Sequence, residues 1–275
     1  MATFSAFADE IAADLKTQMD VCEAHGVKCI DVRGIDKTNV SAFTVEQARD
    51  YRKQMDDRGF SVPCIGSPIG KIRIDEPFAP HLELLKHCFE VAGAFGARYV
   101  RIFSFYGPKG GSIADHRRQV MDQMAAMVRA AEAADLVLLH ENESDIYGEK
   151  PDGVKDLFAT VQSEHLQGIF DPANFVSAGV APYDEGWTQG LAELTHYFHI
   201  KDKTPGAKAC VPAGQGAGQI PQTLADARKR GFDGYLTLEP HMMAAGQFSG
   251  FTGPDLFTKA VEGLRAVCDE VGLSY

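Results

Sequence analysis

Four short stretches in the second half of the chain each end an apolar run in a residue able to bind a metal or move a proton. They are Leu139-His140-Glu141-Asn142, Phe170-Asp171-Pro172-Ala173-Asn174, Phe198-His199-Ile200-Lys201-Asp202 and Leu238-Glu239-Pro240-His241. Glu141, Asp171, His199 and Glu239 are separated by 30, 28 and 40 residues, the length of a strand, a helix and their loops each time. Two glutamates, an aspartate and an imidazole form a mixed oxygen and nitrogen donor set that suits Mn²⁺, Mg²⁺, Co²⁺ or Zn²⁺ and leaves positions for substrate oxygens. Three acids in one buried mouth repel one another unless protons or a cation neutralise them, and a divalent ion does so. Taken singly, each residue has a plainer reading: Asp-Pro opens turns, a histidine on an apolar strand is often core, and a glutamate can start a loop. Only together do they point to one pocket.

The elements needed to gather them follow from periodicity. Strands are expected at Thr3–Phe7, Val27–Val32, Ser61–Ile65, Tyr99–Phe105, Leu136–Glu141, Gly168–Asp171, His196–Ile200 and Tyr235–Glu239. Helices are expected between them: from Asp9 to Gly26 with Ile11, Leu15, Met19 and Cys22 on one face, from a Thr44/Gln47 capping box to Gly59, and at about 79–95, 113–133, 153–162, 183–194, 221–230 and 254–271. Eight strands alternating with eight helices is the count of a closed α/β (β/α)8 TIM barrel, whose active sites lie at the carboxyl ends of the strands. Side chains alternate along a strand. If Glu141 faces the axis, so do Leu139 and Val137; the same holds for Asp171 with Ile169, His199 with Tyr197, and Glu239 with Thr237.

A chain of 275 residues, 45% hydrophobic, fills one barrel of roughly 250 residues with little left over, and no repeat or linker marks a boundary. A single domain over residues 1–275 is expected. The net charge of −11 argues against a nucleic-acid partner, since phosphate binding needs clustered Lys and Arg; a small polar molecule is the expected partner. The six scattered cysteines indicate neither a zinc ribbon nor a disulfide framework. The N-terminus lacks a secretory pattern and no stretch of 18 apolar residues occurs, so a cytoplasmic protein without a membrane partner is expected.

The Leu-x-Glu-Asn strand end, Asp-Pro-Ala-Asn, His-Ile-Lys-Asp, the stretch Gly214-Gln215-Gly216-Ala217-Gly218 and Leu-Glu-Pro-His together resemble the xylose isomerase-like TIM-barrel family of sugar isomerases and epimerases, which also holds endonuclease IV-type enzymes. The resemblance implies one divalent metal, Mn²⁺ first among the four ions above, held by Glu141, Asp171, His199 and Glu239, with Glu141 and Glu239 also acting as acid and base. It implies a sugar or keto-sugar substrate whose proton is moved through a metal-stabilised enediolate. Asn174 stands where many relatives carry a histidine, and neither Ser67-Pro68-Ile69-Gly70 nor Ser104-Phe105-Tyr106-Gly107 supplies one, which favours one metal and speaks against DNA repair.

Lys201 shares parity with His199, and His241 with Glu239, so with Asn174 and Arg101 they form the expected substrate-binding set. Arg33 and Arg101 are read as binders of an anionic group or as structural ion pairs, and Glu143 and Asp145 as added negative potential. The glycine loop is read either as a phosphate cradle or as a tight chain path. Trp187, Phe248 and Phe251 are read as interface or lid residues of a possible homo-oligomer. Alternatives to isomerisation are a metal-dependent lyase or dehydratase on a keto-sugar or inositol derivative, and an inactive sugar-binding barrel.

Overall fold

The computed structural model describes residues 1–243 and 252–275, so the expectations at Phe248 and Phe251 fall outside the described residues. Eight parallel strands form the frame: β1 (Thr3–Ala6), β2 (Cys29–Ile30), β3 (Cys64–Ile65), β4 (Tyr99–Ile102), β5 (Val137–Glu141), β6 (Leu166–Phe170), β7 (Thr195–Ile200) and β8 (Tyr235–Leu238). Neighbours in chain order pair in parallel, and β8 returns to β1 with Thr3 opposite Tyr235 and Ala6 opposite Leu238. The remaining seam, between β2 and β3, is held by bridges Cys29–Ser61 and Val32–Ile65 and by amide bonds such as Val32 N–H to the Cys64 carbonyl at 3.0 Å. The result is a nearly closed TIM barrel ringed by α1 (Leu15–Ala24), α2 (Val45–Asp56), α3 (Phe78–Phe95), α4 (Arg117–Ala133), α5 (Pro151–Thr160), α6 (Pro172–Ser177), α7 (Ile220–Lys229) and α8 (Pro254–Val271).

Local chemistry sets these bounds. The Thr44/Gln47 capping box opens α2, and Gly96, at φ 69°, ends α3 in the left-handed conformation that costs glycine little. Pro63 has no N–H to give a ladder, which explains why β3 shrinks to two residues within the expected Ser61–Ile65. Phe105, at φ 67°, lies beyond the end of β4, which stops at Ile102 rather than at the expected Phe105. The helices bury the faces that periodicity picks out: Val120, Met124, Met127 and Val128 on α4, and Phe257, Val261, Leu264 and Cys268 on α8. All six cysteines are free thiols. No described helix is long and apolar enough to cross a membrane.

Two expected helices differ. The first begins at Leu15, capped by Asp14, whose carboxylate accepts the Thr17 amide at 2.8 Å; Asp9 and Glu10 sit in a short 3-10 turn that turns Glu10 into the barrel. The expected helix at 183–194 is replaced by the six-residue α6 directly after β6, because Asp171 caps it, and by short turns over Pro182–Gln189. Within those turns Trp187 is buried against Phe170 and Phe198, with its Nε1–H donated to Asp226 at 2.8 Å, so it is a core residue and not an interface or lid side chain.

Candidate metal centre

The barrel interior is layered as alternation requires. Cys64, Val137, Leu139, Ile169 and Tyr197 form a compact apolar cluster of their own, with Tyr99 and Tyr235 against it. One step further along the same strands, Glu141, Asp171, His199 and Glu239 converge at the carboxyl end. One ligand-capable atom from each lies within 4.8 Å of all the others, and all four residues are buried.

Each side chain is fixed by its backbone setting. Asp171 divides its oxygens: Oδ1 accepts the Asn174 amide at 2.9 Å as the cap of α6, which leaves Oδ2 facing the centre. Asn142 ties β5 to β6, donating to the Asp171 carbonyl at 3.0 Å and accepting its amide at 2.9 Å. His199 is wedged between Phe7, edge-on at 4.9 Å, and Tyr197. Its Nδ1 is 3.1 Å from Glu141 Oε1 and 3.4 Å from Glu239 Oε2, yet neither ring nitrogen nor Asp171 Oδ2 has a partner in hydrogen-bond geometry. Buried lone pairs converging without partners are costly unless something binds them. This donor set fits a divalent ion.

The charges tell the same story. Glu239 is held by Arg33 at 2.9 Å and Lys201 at 3.3 Å, Glu141 by Arg101 at 3.2 Å, and Asp171 Oδ2 lies 2.8 Å from the Lys201 ammonium. Arg33 also pairs with Asp9 and Glu10. Counted as ionised, the five carboxylates of this network outnumber its three cations by two when both imidazoles are neutral. Within the protein alone, protons are drawn in to fill the gap. Burial opposes a charge on His199, but Glu141 and Glu239 overcome it and raise its pKa to about 9; His241 is raised against burial by Glu239 and Glu10. Burial opposes ionisation of Glu141, yet His199 and Arg101 pull it down to about 2. Burial pushes Asp171 up to about 7 against the pull of Lys201. A dication supplies the two missing charges without protons.

The remaining expected residues gather here as well. Lys201 is buried, not an exposed loop lysine. Arg101 is buried over Phe7 and Phe103, and of its five N–H groups two have no partner among the described residues. Asn174 donates to Glu141 Oε1 at 3.3 Å. His241 Nε2 lies 2.8 Å from Glu10 Oε1, and its own amide donates to the other oxygen of Glu10. Glu143 pairs with Lys71 at 2.9 Å and also adds negative potential at Lys201. Arg33 is an ion-pairing residue.

The phosphate-cradle reading of the glycine loop is overturned. The amides of Gly214, Gly216 and Gly218 donate to the Asp202 carboxylate at 2.9, 3.0 and 2.8 Å, so the cradle already holds an anion from the chain itself. A Cβ on Gly216 would sit 2.3 Å from Asp202 Oδ1, which is why glycine stands there.

Sequence reading missed Glu10 and Asp31. Glu10 is fully buried and accepts from Thr252 at 2.6 Å, while Asp31 accepts Tyr197, Ser5 and Thr237 hydroxyls beneath His199. The signal for Asp31 was available: a carboxylate between Ile30 and Val32 with the parity of Arg33.

A family model described as xylose isomerase-like TIM barrel matches residues 19–267. Among solved structures, a D-tagatose 3-epimerase-like protein superposes with a TM-score of 0.77 at 15% identity, over 98% of each chain. The probable 3-DHS dehydratase AsbF of Bacillus anthracis gives 0.74 at 13% identity, over 96% of this chain and 99% of its own. A xylose isomerase-like TIM barrel protein of Mycobacterium smegmatis in complex with magnesium gives 0.71 at 15%, over 98% and 97%. At these identities the likeness shows the fold alone. No curated protein matches the sequence.

Proposed function

Because the chain belongs to the xylose isomerase-like TIM barrel family, we propose that it is a divalent-metal-dependent isomerase or epimerase of a sugar or sugar derivative, working by proton transfer through an enediolate. The observation that carries the reading is the convergence of ligand atoms from the buried quartet Glu141, Asp171, His199 and Glu239 within 4.8 Å, inside a network whose five carboxylates outnumber its three cations by two. These four residues would hold the ion, Mn²⁺ by preference. When bound, it supplies Lewis-acid polarisation of a substrate carbonyl and positive charge beside the developing enediolate.

The chain's own groups do the rest. One of Glu141 and Glu239 takes the proton next to the carbonyl and the other returns it, on the opposite face for epimerisation or at the neighbouring carbon for isomerisation. Lys201, fixed between Asp171 and Glu239, presents its remaining N–H to a substrate oxygen, as does Arg101 through its two spare N–H groups, while Asn174, whose amide N–H groups go to Glu141 and Asn142, offers its carbonyl oxygen as an acceptor. His241, anchored on Glu10, lines the same mouth.

The test is exchange of the substrate α-hydrogen with deuterium from solvent, followed by NMR across a panel of keto-sugars and sugar acids. Chelation, Glu239→Gln and Glu141→Gln should each cut exchange by about 10²–10⁴-fold. Exchange that persists at wild-type rate in all three conditions sinks the mechanism. A second reading, dehydration, uses the same proton abstraction followed by loss of a β-hydroxyl, with the buried Lys201 ammonium as a ready donor to the leaving oxygen. A product lighter by one water distinguishes it.

A further inference from the structure

Beside the quartet a cavity of about 140 Å³ opens at the barrel mouth, lined among others by Lys201, Lys203, Lys208, Asn174, Ser177 and His241. It adjoins the centre through two shared residues, since Lys201 touches Asp171 and Glu239, and Asn174 touches Glu141. Its charge is opposite to that of the chain. The protein carries 38 acidic against 27 basic residues, yet this wall presents three lysines and one acid, Glu143, which Lys71 already neutralises at 2.9 Å. Lys203 Nζ is held by the neutral Ser177 hydroxyl at 3.0 Å, and neither Lys203 nor Lys208 has a carboxylate within ion-pair distance among the described residues.

The segment that carries these lysines is built to stay in place. His199, Lys201 and Lys203 continue one parity from β7 into the loop. Asp202 between them points the other way and is gripped by four amides, those of Lys203, Gly214, Gly216 and Gly218. Ala217 N–H closes back onto the Lys203 carbonyl at 2.9 Å, and Val211 N–H onto that of Asp202 at 2.9 Å. The glycine loop thus binds no external anion; it fixes the backbone at Asp202 and Lys203, and Lys203 and Lys208 have no anion of their own among the described residues. Preorganised, uncompensated cations in a concave wall are what recognition of an anionic group requires.

We propose that this cavity is the subsite for an anionic group of the substrate, a carboxylate or phosphate bound by Lys203 and Lys208, so that the substrate class is a sugar acid or a sugar phosphate. The inference rests on the isomerase reading for the word substrate, but the site itself is testable apart from it. Metal-loaded protein is titrated by calorimetry with inorganic phosphate and, separately, with propionate. One of the two should bind, and the tighter one identifies the anion. Lys208→Gln, an exposed change that leaves the fold intact, should weaken binding about tenfold, and Lys203→Gln/Lys208→Gln further still, with the metal content of all three proteins equal. Binding of neither probe to the wild type, or equal binding by the double variant, overturns the subsite. Absence of retained metal from the wild type would instead strike the isomerase reading, and the effect of the lysine changes on phosphate binding would still decide the subsite.

Discussion

The two halves of the barrel contribute different things to its mouth. β5 to β8 each place one member of the quartet at or next to their carboxyl end, in order Glu141, Asp171, His199 and Glu239. β1 to β4 supply none of these; from their ends come Asp9, Glu10, Arg33 and Arg101, which surround the quartet with ion pairs. Phe7, just past β1, lies between the two guanidinium groups at 4.8 and 4.9 Å and touches His199 with its edge. The late strands thus provide donor atoms, and the early strands fix how much charge those donors lack. Removing one partner of a buried ion pair leaves an uncompensated charge and is strongly destabilising.

The largest effect expected from breaking this arrangement lies in the early half. Arg33 is nearly buried and serves three carboxylates, so Arg33→Met leaves Asp9, Glu10 and Glu239 without their shared counter-ion and should cost about 3–5 kcal/mol of folding stability. Urea unfolding of metal-free protein measures it, and partial recovery in Arg33→Met/Glu10→Gln would tie the loss to the unpaired charge. An unchanged unfolding midpoint would mean that the early half is not an electrostatic brace.

A smaller effect, of a different kind, belongs to the late half. His199→Gln removes the one nitrogen donor while keeping an uncharged polar side chain. It should weaken metal binding at least about a hundredfold, the upper end of what losing even an outer partner of a ligand costs. Competition with a chromophoric chelator reads this directly. If affinity holds, the ion sits elsewhere, and the division between donor half and brace half falls with it.

The same division explains what was legible in the sequence. Each late-strand residue ends its own apolar run, so type and position could be read together, and alternation then placed Leu139, Ile169 and Tyr197 beneath them. The early half hid its contribution in longer-range geometry. Glu10 looked like the first turn of an amphipathic helix, and it is Arg33, Thr252 and His241, all distant in sequence, that reveal it as a buried acceptor. The glycine loop misled for a related reason: its amides do cradle an anion, but that anion is Asp202, whose carboxylate lies 12 to 16 residues earlier in the chain. Helix bounds failed where a strand-end residue doubled as a cap, as Asp171 does for α6.

The smallest expected effect tests whether the early half is also held by neutral contacts. His81, buried at the start of α3, accepts the Gly70 amide through Nε2 at 2.8 Å, and Gly70 in turn accepts from Phe105 N–H at 3.0 Å, which joins the loop after β3 to the end of β4. Only an unprotonated ring can accept. Burial lowers the His81 pKa below its ordinary value of 6.5, with Glu76 opposing. As pH falls below that value, the unfolded chain therefore takes up the proton before the folded one does, and stability declines until the folded pKa is passed. His81→Gln keeps an acceptor but does not titrate. Unfolding free energies from urea titrations between pH 7.5 and 5.5 should fall less in the variant than in the wild type, by about 1 kcal/mol, the net worth of one hydrogen bond. Equal slopes would assign the acid sensitivity to the charged network at the mouth and leave the Gly70 contact without a role in it.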